Sequence, residues 1–418
     1  MLRCIGWNLA AVVCLLFAMC GPATADENWN QFRGPRGDGT STALGLPVQW
    51  SEKEHVKWKT PVRGKAWSSP VVWGRQIWLT TAPPDGKELF AICLDLETGK
   101  PLHDVKIFDI EKPQFCIPKN SYASSTPVVE EGRVYVHFGA HGTACLDTDS
   151  GKILWQRQDL PCNHFRGPAS SPIVWEDLLI LTFDGFDHQY VAALDKKTGA
   201  TVWKTNRDFP YGSEDGDSKK AYATPQVVTV ENRQELIVPS ANCTAAYNPR
   251  TGAELWRVKS GGMNASGRAV VGHGLAFLGT ADGGFNFFAV KLGGSGDVTG
   301  SHVAWKLTKG APRYSSPILA GDLLYMGNEQ GVVTCVEALT GNTIGQKRLG
   351  GVFMPSPMLA DEKLYFFTED GKTYVLTAGR EFKLLATNTL DGGFMASPAV
   401  AGKALILRTK DAVYRIEN

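Results

Sequence analysis

From about residue 50 onward, short apolar runs alternate with turn residues, and the order of those runs repeats. A Ser or Thr precedes a Pro, then come an apolar run, a Gly- or Asp-bearing turn and a second apolar run. "SSPVVWGRQIWLT" at Pro70 shows the pattern, which returns at Pro127, Pro172, Pro225, Pro317, Pro357 and Pro398. A degenerate copy, "GRAVVGHGLAFLGT", carries Ala269 in the Pro position. Successive starts lie 57, 45, 53, 44, 48, 40 and 41 residues apart. Between them runs a second hairpin, an apolar run ending in Asp, a Thr-Gly turn and a run bearing Trp, as in "AALDKKTGATVWK" from Ala192.

Two hairpins per period of 40 to 50 residues predict a β-propeller. Each unit reads as strands a to d of one blade, with strand a innermost. A lone four-stranded sheet cannot bury both faces, so the blades stack radially. In the c–d hairpin, Asp and Thr bond the turn backbone and Gly takes the positive-φ position. Trp155, Trp203, Trp256 and Trp305 are expected to lie across the junction with a neighbouring blade. The last unit, ending "AVYRIEN", lacks a strand d. "EHVKWKTPV" near the N-terminus carries Trp58 at that position, with no blade before it. The fold class is therefore all-β: an eight-bladed β-propeller of four-stranded antiparallel blades, closed by an N-terminal strand on the C-terminal blade, which removes a free edge.

The first residues fall outside this pattern. "MLRCIGWNLAAVVCLLFAMCGPATADE" has an early Arg, an apolar run too short to span a membrane and an Ala-x-Ala site before Asp26, which is the form of a secretory signal. The expected division is 1–25 signal, 26–50 lead-in and 51–418 propeller, placing the chain in the periplasm or otherwise outside the cytoplasm. No transmembrane segment is expected after cleavage. Phe17 and Met19 depart from the residues that precede a lipidated Cys, so Cys20 is not read as an anchor. Loss of Arg3 with the signal leaves 42 basic against 42 acidic residues, which gives no field to attract nucleic acid. It also leaves six Cys. Cys93, Cys145 and Cys335 share a strand-c position with Ala193, Ala246 and Ala289 and read as buried small fillers. Cys116 and Cys162 fall in consecutive d–a loops and form an expected disulfide in an oxidising compartment.

The Asp-x-x-Thr-Gly-x-x-x-Trp hairpin with Ser-x-Pro before strand a resembles the repeat of the pyrroloquinoline-quinone (PQQ)-like propellers. These include quinoprotein dehydrogenases and the BamB-type outer-membrane assembly lipoprotein. The resemblance covers about residues 50 to 418 and implies the fold more strongly than an activity. For the dehydrogenases it implies PQQ held with calcium by Glu, Asn and Asp, often beside two adjacent Cys. No Cys-Cys pair occurs, and no matching ligand positions can be placed. "SEDGDSKK" lacks the spacing of a calcium loop, so no metal ligand and no catalytic residue is assigned. The leading expectation is a non-catalytic scaffold that binds cell-envelope proteins. The alternatives are a PQQ-dependent dehydrogenase and a propeller that binds glycans.

Two groups of residues are candidates for binding. Trp67, Tyr122, Tyr222, Tyr314, Phe353 and Phe394 stand just before strands a; they either ring the channel mouth or pack between blades. His164, Arg166, Asp184, Asp187, His188, Asp215 and Asp217 gather in the loops that lengthen on one face, with Lys119 and Lys219. They form either a site or a solvated rim. "FRGP" occurs at Phe32 and again at Phe165, which suggests a shared loop shape.

Overall fold

Each Ser/Thr-Pro start opens an inner strand. In blade 1, strands Val71–Trp73, Gln76–Thr81, Glu88–Asp95 and Pro101–Asp109 follow one another across one antiparallel sheet. The computed structural model describes residues 28–418, and the expected signal, 1–25, lies outside them. Eight such sheets occur among the described residues. Blades 2 to 7 occupy residues 128–157, 173–206, 226–259, 270–307, 318–348 and 358–389. Blade 8 joins residues 399–416 to the strand Val56–Pro61, which pairs antiparallel with Ala412–Ile416. The N-terminal segment thus closes the ring, with Trp58 opposite Arg415. No described helix is long and apolar enough to cross a membrane.

Burial follows from position in the blade. Strand b of blade 3, Leu178–Asp184, is buried at every residue because neighbouring blades cover both faces. Strand d of blade 2, Ile153–Arg157, alternates between exposed and half-buried positions at the solvent edge. The Trp residues join blades in sequence. Trp58 Nε1 donates to Leu96 O at 3.0 Å, Trp155 to Lys196 O at 3.1 Å, Trp203 to Pro249 O at 3.0 Å and Trp305 to Ala338 O at 2.8 Å. Blade 1 substitutes His103, whose Nε2 lies 3.2 Å from Thr148 O. Trp256 departs from the series, since its Nε1 donates to Glu235 within its own blade at 2.8 Å. There the next blade's c–d connection lays Gly296–Asp297 parallel along the outer edge of blade 4, opposite Trp256 and Arg257. Cys145, Ala193, Ala246 and Ala289 sit directly opposite a Trp across the c–d ladder, so a small side chain there leaves room for the ring.

The Ser or Thr before each Pro has a structural reason. Ser69 N donates to Thr126 Oγ1, Thr126 N to Ser171 Oγ and Ser171 N to Thr224 Oγ1, each at 2.9–3.0 Å. The relay resumes with Arg268 N to Ser316 Oγ, Ser316 N to Ser356 Oγ and Ser356 N to Ser397 Oγ, and it closes with Ser397 N to Ser69 Oγ at 3.0 Å. Seven of eight blades supply a hydroxyl; blade 5, the degenerate copy, supplies Arg268. The relay satisfies buried backbone donors on the innermost turn of the ring.

Residues 28–50 are not a loose leader. Trp29 O accepts from Val72 N and Asn30 O from Val129 N, both at 2.8 Å, and Gly39 O accepts from Leu359 N at 3.0 Å. Thr40–Ser41 then pairs parallel with the inner strand of blade 7. These partners lie toward the a–b turns, so the lead-in plugs the channel from that end. Trp29, Leu46 and Trp50 join the core shared by blades 1, 7 and 8. Both copies have a left-handed Gly, but the left-handed non-glycine residue is Arg33 in the first "FRGP" and Phe165 in the second. The two copies therefore differ in backbone shape, contrary to the expectation.

Candidate functional site

Above the plug lies a blind cavity of about 240 Å³ at the mouth formed by the d–a and b–c loops. Its wall is a register position. The residues three before each strand-a Pro, or before Ala269, are Trp67, Ser124, Ala169, Tyr222, Ser266, Tyr314, Met354 and Met395, and all eight line it. Below them come hydroxyls of the relay (Ser69, Thr126, Ser171, Thr224, Ser356 and Ser397), with Phe32 of the lead-in beneath as the floor. Those hydroxyl oxygens accept backbone N–H groups, and Ser356 alone of these also donates its own proton, to Ser316 at 3.2 Å. The remaining hydroxyl protons are left to face an occupant.

Three of the six aromatic candidates, Trp67, Tyr222 and Tyr314, are on this wall. The other three are corrected. Phe353 and Phe394 are one residue out of register and are buried at 1% exposure between blades. Tyr122 is two residues out; its hydroxyl donates to Gln114 O at 2.7 Å and its ring meets His141 edge-on. The three-residue offset from Pro, rather than aromatic character, is the signal that finds the wall, and it adds Met354 and Met395.

The rim candidates do not form one site. Arg166 reaches the cavity, and 3.1 Å away Asp217 bridges it to Lys220. Burial and the nearby Arg166 charge lower the Lys220 ammonium to about 8. Asp184 is buried against Arg207, 2.7 Å away, and desolvation raises its carboxyl to about 6 despite that partner. His164 is buried and its Nε2 accepts from Ala140 N at 3.0 Å; burial, with His141 nearby, lowers it to about 3. Asp187 accepts from Asn163 N and His188 N, with His188 exposed beside it, and Asp215 caps the turn Gly216–Lys219. These last three residues shape loops.

The disulfide is also corrected, because Cys116 and Cys162 are free thiols. Cys116 Sγ lies 3.7 Å from Arg166 O, whereas Cys162 Sγ lies 3.8 Å from His164 Nδ1 and from His188 O. The two sulfurs sit in different loop packings.

Across the mouth, Lys119 Nζ stands 5.1 Å from the Tyr314 ring centroid, so the blade 1–2 loop reaches blade 6. Beside the mouth, Phe165 lies 6.1 Å from Phe115 and 5.4 Å from Phe186, centroid to centroid. These three remain 38%, 62% and 36% exposed, respectively. The one carboxylate on the cavity wall, Asp282, is taken by Arg313 and by Asn264 Nδ2. No group of three or more His, Cys, Asp or Glu among the described residues is placed to hold a metal.

Fold, repeat and channel define a PQQ-like-repeat β-propeller. The chain belongs to the family described as outer membrane protein assembly factor BamB, whose model matches residues 58–241 and 240–380. It is 24% identical over 205 residues to the BamB of Legionella pneumophila, an alignment spanning 49% of each chain. The chain thus matches about half the length of that curated relative. Among solved structures, BamB from Moraxella catarrhalis superposes with a TM-score of 0.59 at 12% identity, covering 86% of this chain and 99% of that one. Quinohemoprotein alcohol dehydrogenase from Comamonas testosteroni gives 0.64 at 11% identity, covering 93% and 80%. At these identities the two structures share the fold alone.

Proposed function

We propose that this chain is an exported, non-catalytic scaffold that binds proteins of the cell envelope during their assembly. The observation that carries the reading is the Phe115–Phe165–Phe186 cluster, an exposed aromatic surface on the long-loop face of a BamB-family propeller. Aromatic clusters that keep their area in water are the anchors around which protein interfaces form. Family membership supports the envelope setting, and a wall without an available carboxylate gives no base for dehydrogenation. Crosslinking in intact cells, followed by identification of captured proteins, tests the reading. Phe115→Ser with Phe165→Ser and Phe186→Ser should remove partners that wild type captures and leave the fold intact by circular dichroism. An unchanged set of partners defeats the reading, as does a shifted quinone absorbance with dye reduction when PQQ and calcium are added.

A second reading rests on the cavity. Its unspent hydroxyl protons, apolar wall and the cations Lys119 and Arg166 suit a small acceptor-rich molecule, a sugar among them. A glycan array and calorimetric titration with wild type and Tyr314→Ala test it; equal signals from both proteins end it.

A further inference from the structure

Blade 5 breaks the hydroxyl relay, and what stands there instead raises a problem of charge. Arg268 is 2% exposed and has no carboxylate in ion-pair contact. Its Nη1 donates to Phe32 O at 2.7 Å and its Nη2 to Gln31 Oε1 at 3.2 Å, so it pins the plug through neutral acceptors only. Its Nε–H is buried without a partner. Arg33, 1% exposed, adds a second buried guanidinium close enough to disfavour the charge on Arg268, and it too is held by carbonyls, those of Asp38 and Pro317. A buried cation whose direct hydrogen-bond partners are all neutral is costly.

Beside Arg268 is a second, small cavity of about 10 Å³, enough for one atom-sized occupant. Arg313 also lines it, and the Arg313 Nε–H is likewise buried without a partner. The hydroxyls on this wall do not relieve the excess of donors, because Ser266 donates to Asn264 O and Ser315 to Gly327 O. Asp282 satisfies Arg313 at its outer nitrogen. The Asp38 carboxylate favours the charge on both Arg268 and Arg33, yet burial still lowers them to about 9 and about 10.

We propose that this cavity is a binding site for one small anion of halide size, chloride in ordinary buffers, held between the Nε–H groups of Arg268 and Arg313. The anion supplies both Nε–H groups with the acceptor they lack and places a negative charge beside the residue that anchors the lead-in. This cavity shares Ser266 and Arg313 with the wall of the large one, and the proposal is independent of the scaffold reading.

Crystals soaked in bromide, measured at the bromine absorption edge, test the geometry. An anomalous peak in contact with both Nε atoms is expected. A water at that position, or no peak, overturns the proposal. In solution, thermal unfolding is compared in chloride and gluconate at equal ionic strength. Wild type should unfold roughly 2 °C higher in chloride. Arg313→Lys keeps the charge and the Asp282 pair but removes the Nε–H, so its two melting temperatures should coincide. Equal melting of wild type in both salts, or an undiminished chloride shift in Arg313→Lys, overturns the site. Should that variant fail to fold, the bromide peak decides.

Discussion

A Cβ added to Gly252 would stand 2.5 Å from the Trp203 ring, while one added to Gly132 would meet nothing within 4 Å, and both glycines have φ of +72°. The pair separates two reasons for a turn glycine. Gly132→Ala should cost only the left-handed backbone strain of an L-residue, about 1 kcal/mol. Gly252→Ala adds overpacking against the inter-blade Trp, typically about 1–3 kcal/mol more. Denaturant titration of both variants measures the difference, and equal losses would show that the Trp gives way freely. The same repeat explains why the site was only half legible at this scale. Aromatic character caught Trp67, Tyr222 and Tyr314 but also Phe353 and Phe394, since on an extended chain a shift of one residue turns a side chain from channel to core. The cysteines mislead for a related reason: loop adjacency brought Cys116 and Cys162 near, and side-chain direction kept them apart. Protein unfolded without reductant should accept an alkylating agent at all six described cysteines, and a count of four by mass would restore a bond.

At the scale of elements, the junction of blades 2 and 3 buries His137 and His164, and burial lowers each to about 3. Their unfolded counterparts take up protons below about pH 6.5. The neutral folded form is therefore fully favoured above that pH and loses stability as pH falls toward 3. His141, also buried, shifts in the same direction. Asp184 works oppositely: its folded carboxyl titrates near 6, above the unfolded value, so acidification through that range relieves a strain instead of adding one. Two fully buried histidines outweigh one aspartate. Between pH 6 and 5 the protein should lose at least about 1.4 kcal/mol of stability per pH unit. His137→Asn should remove roughly that slope, and denaturation midpoints across the range measure it. A slope unchanged in the variant would place the titrating groups elsewhere. Periodicity gave the blades themselves readily, because strand burial and turn chemistry repeat together. The histidines carried no such signal, since His137 ends a strand and His164 lies in a loop, and neither belongs to the repeated pattern.

For the whole molecule, closure has two layers, and the sequence pattern exposes only one. The outer layer is the strand around Trp58, legible because it completes a hairpin that the last unit lacks. The inner layer is the lead-in, "NWNQFRGPRGDGTST", which has no apolar period. It is held by carbonyls accepting from inner strands, by the short parallel pairing at Thr40–Ser41 and by the Arg33 and Arg268 side chains, contacts that leave no trace in hydropathy. A chain beginning at Ser51 retains all the residues of the eight sheets except Thr40–Ser41, so its far-ultraviolet circular dichroism should stay that of a β protein. It loses Trp29, Leu46 and Trp50, each at most 4% exposed, from the seam where blades 1, 7 and 8 meet. Removing a single large core side chain commonly costs about 2–5 kcal/mol. The shortened propeller should therefore melt lower by more than about 5 °C. It should also lose the floor that Phe32 gives the cavity, turning a blind cup into an open channel. Calorimetry on the two chains decides the matter. Equal melting temperatures would make the lead-in a passenger, and a large drop would make it the pin that turns eight stacked sheets into one cooperative ring.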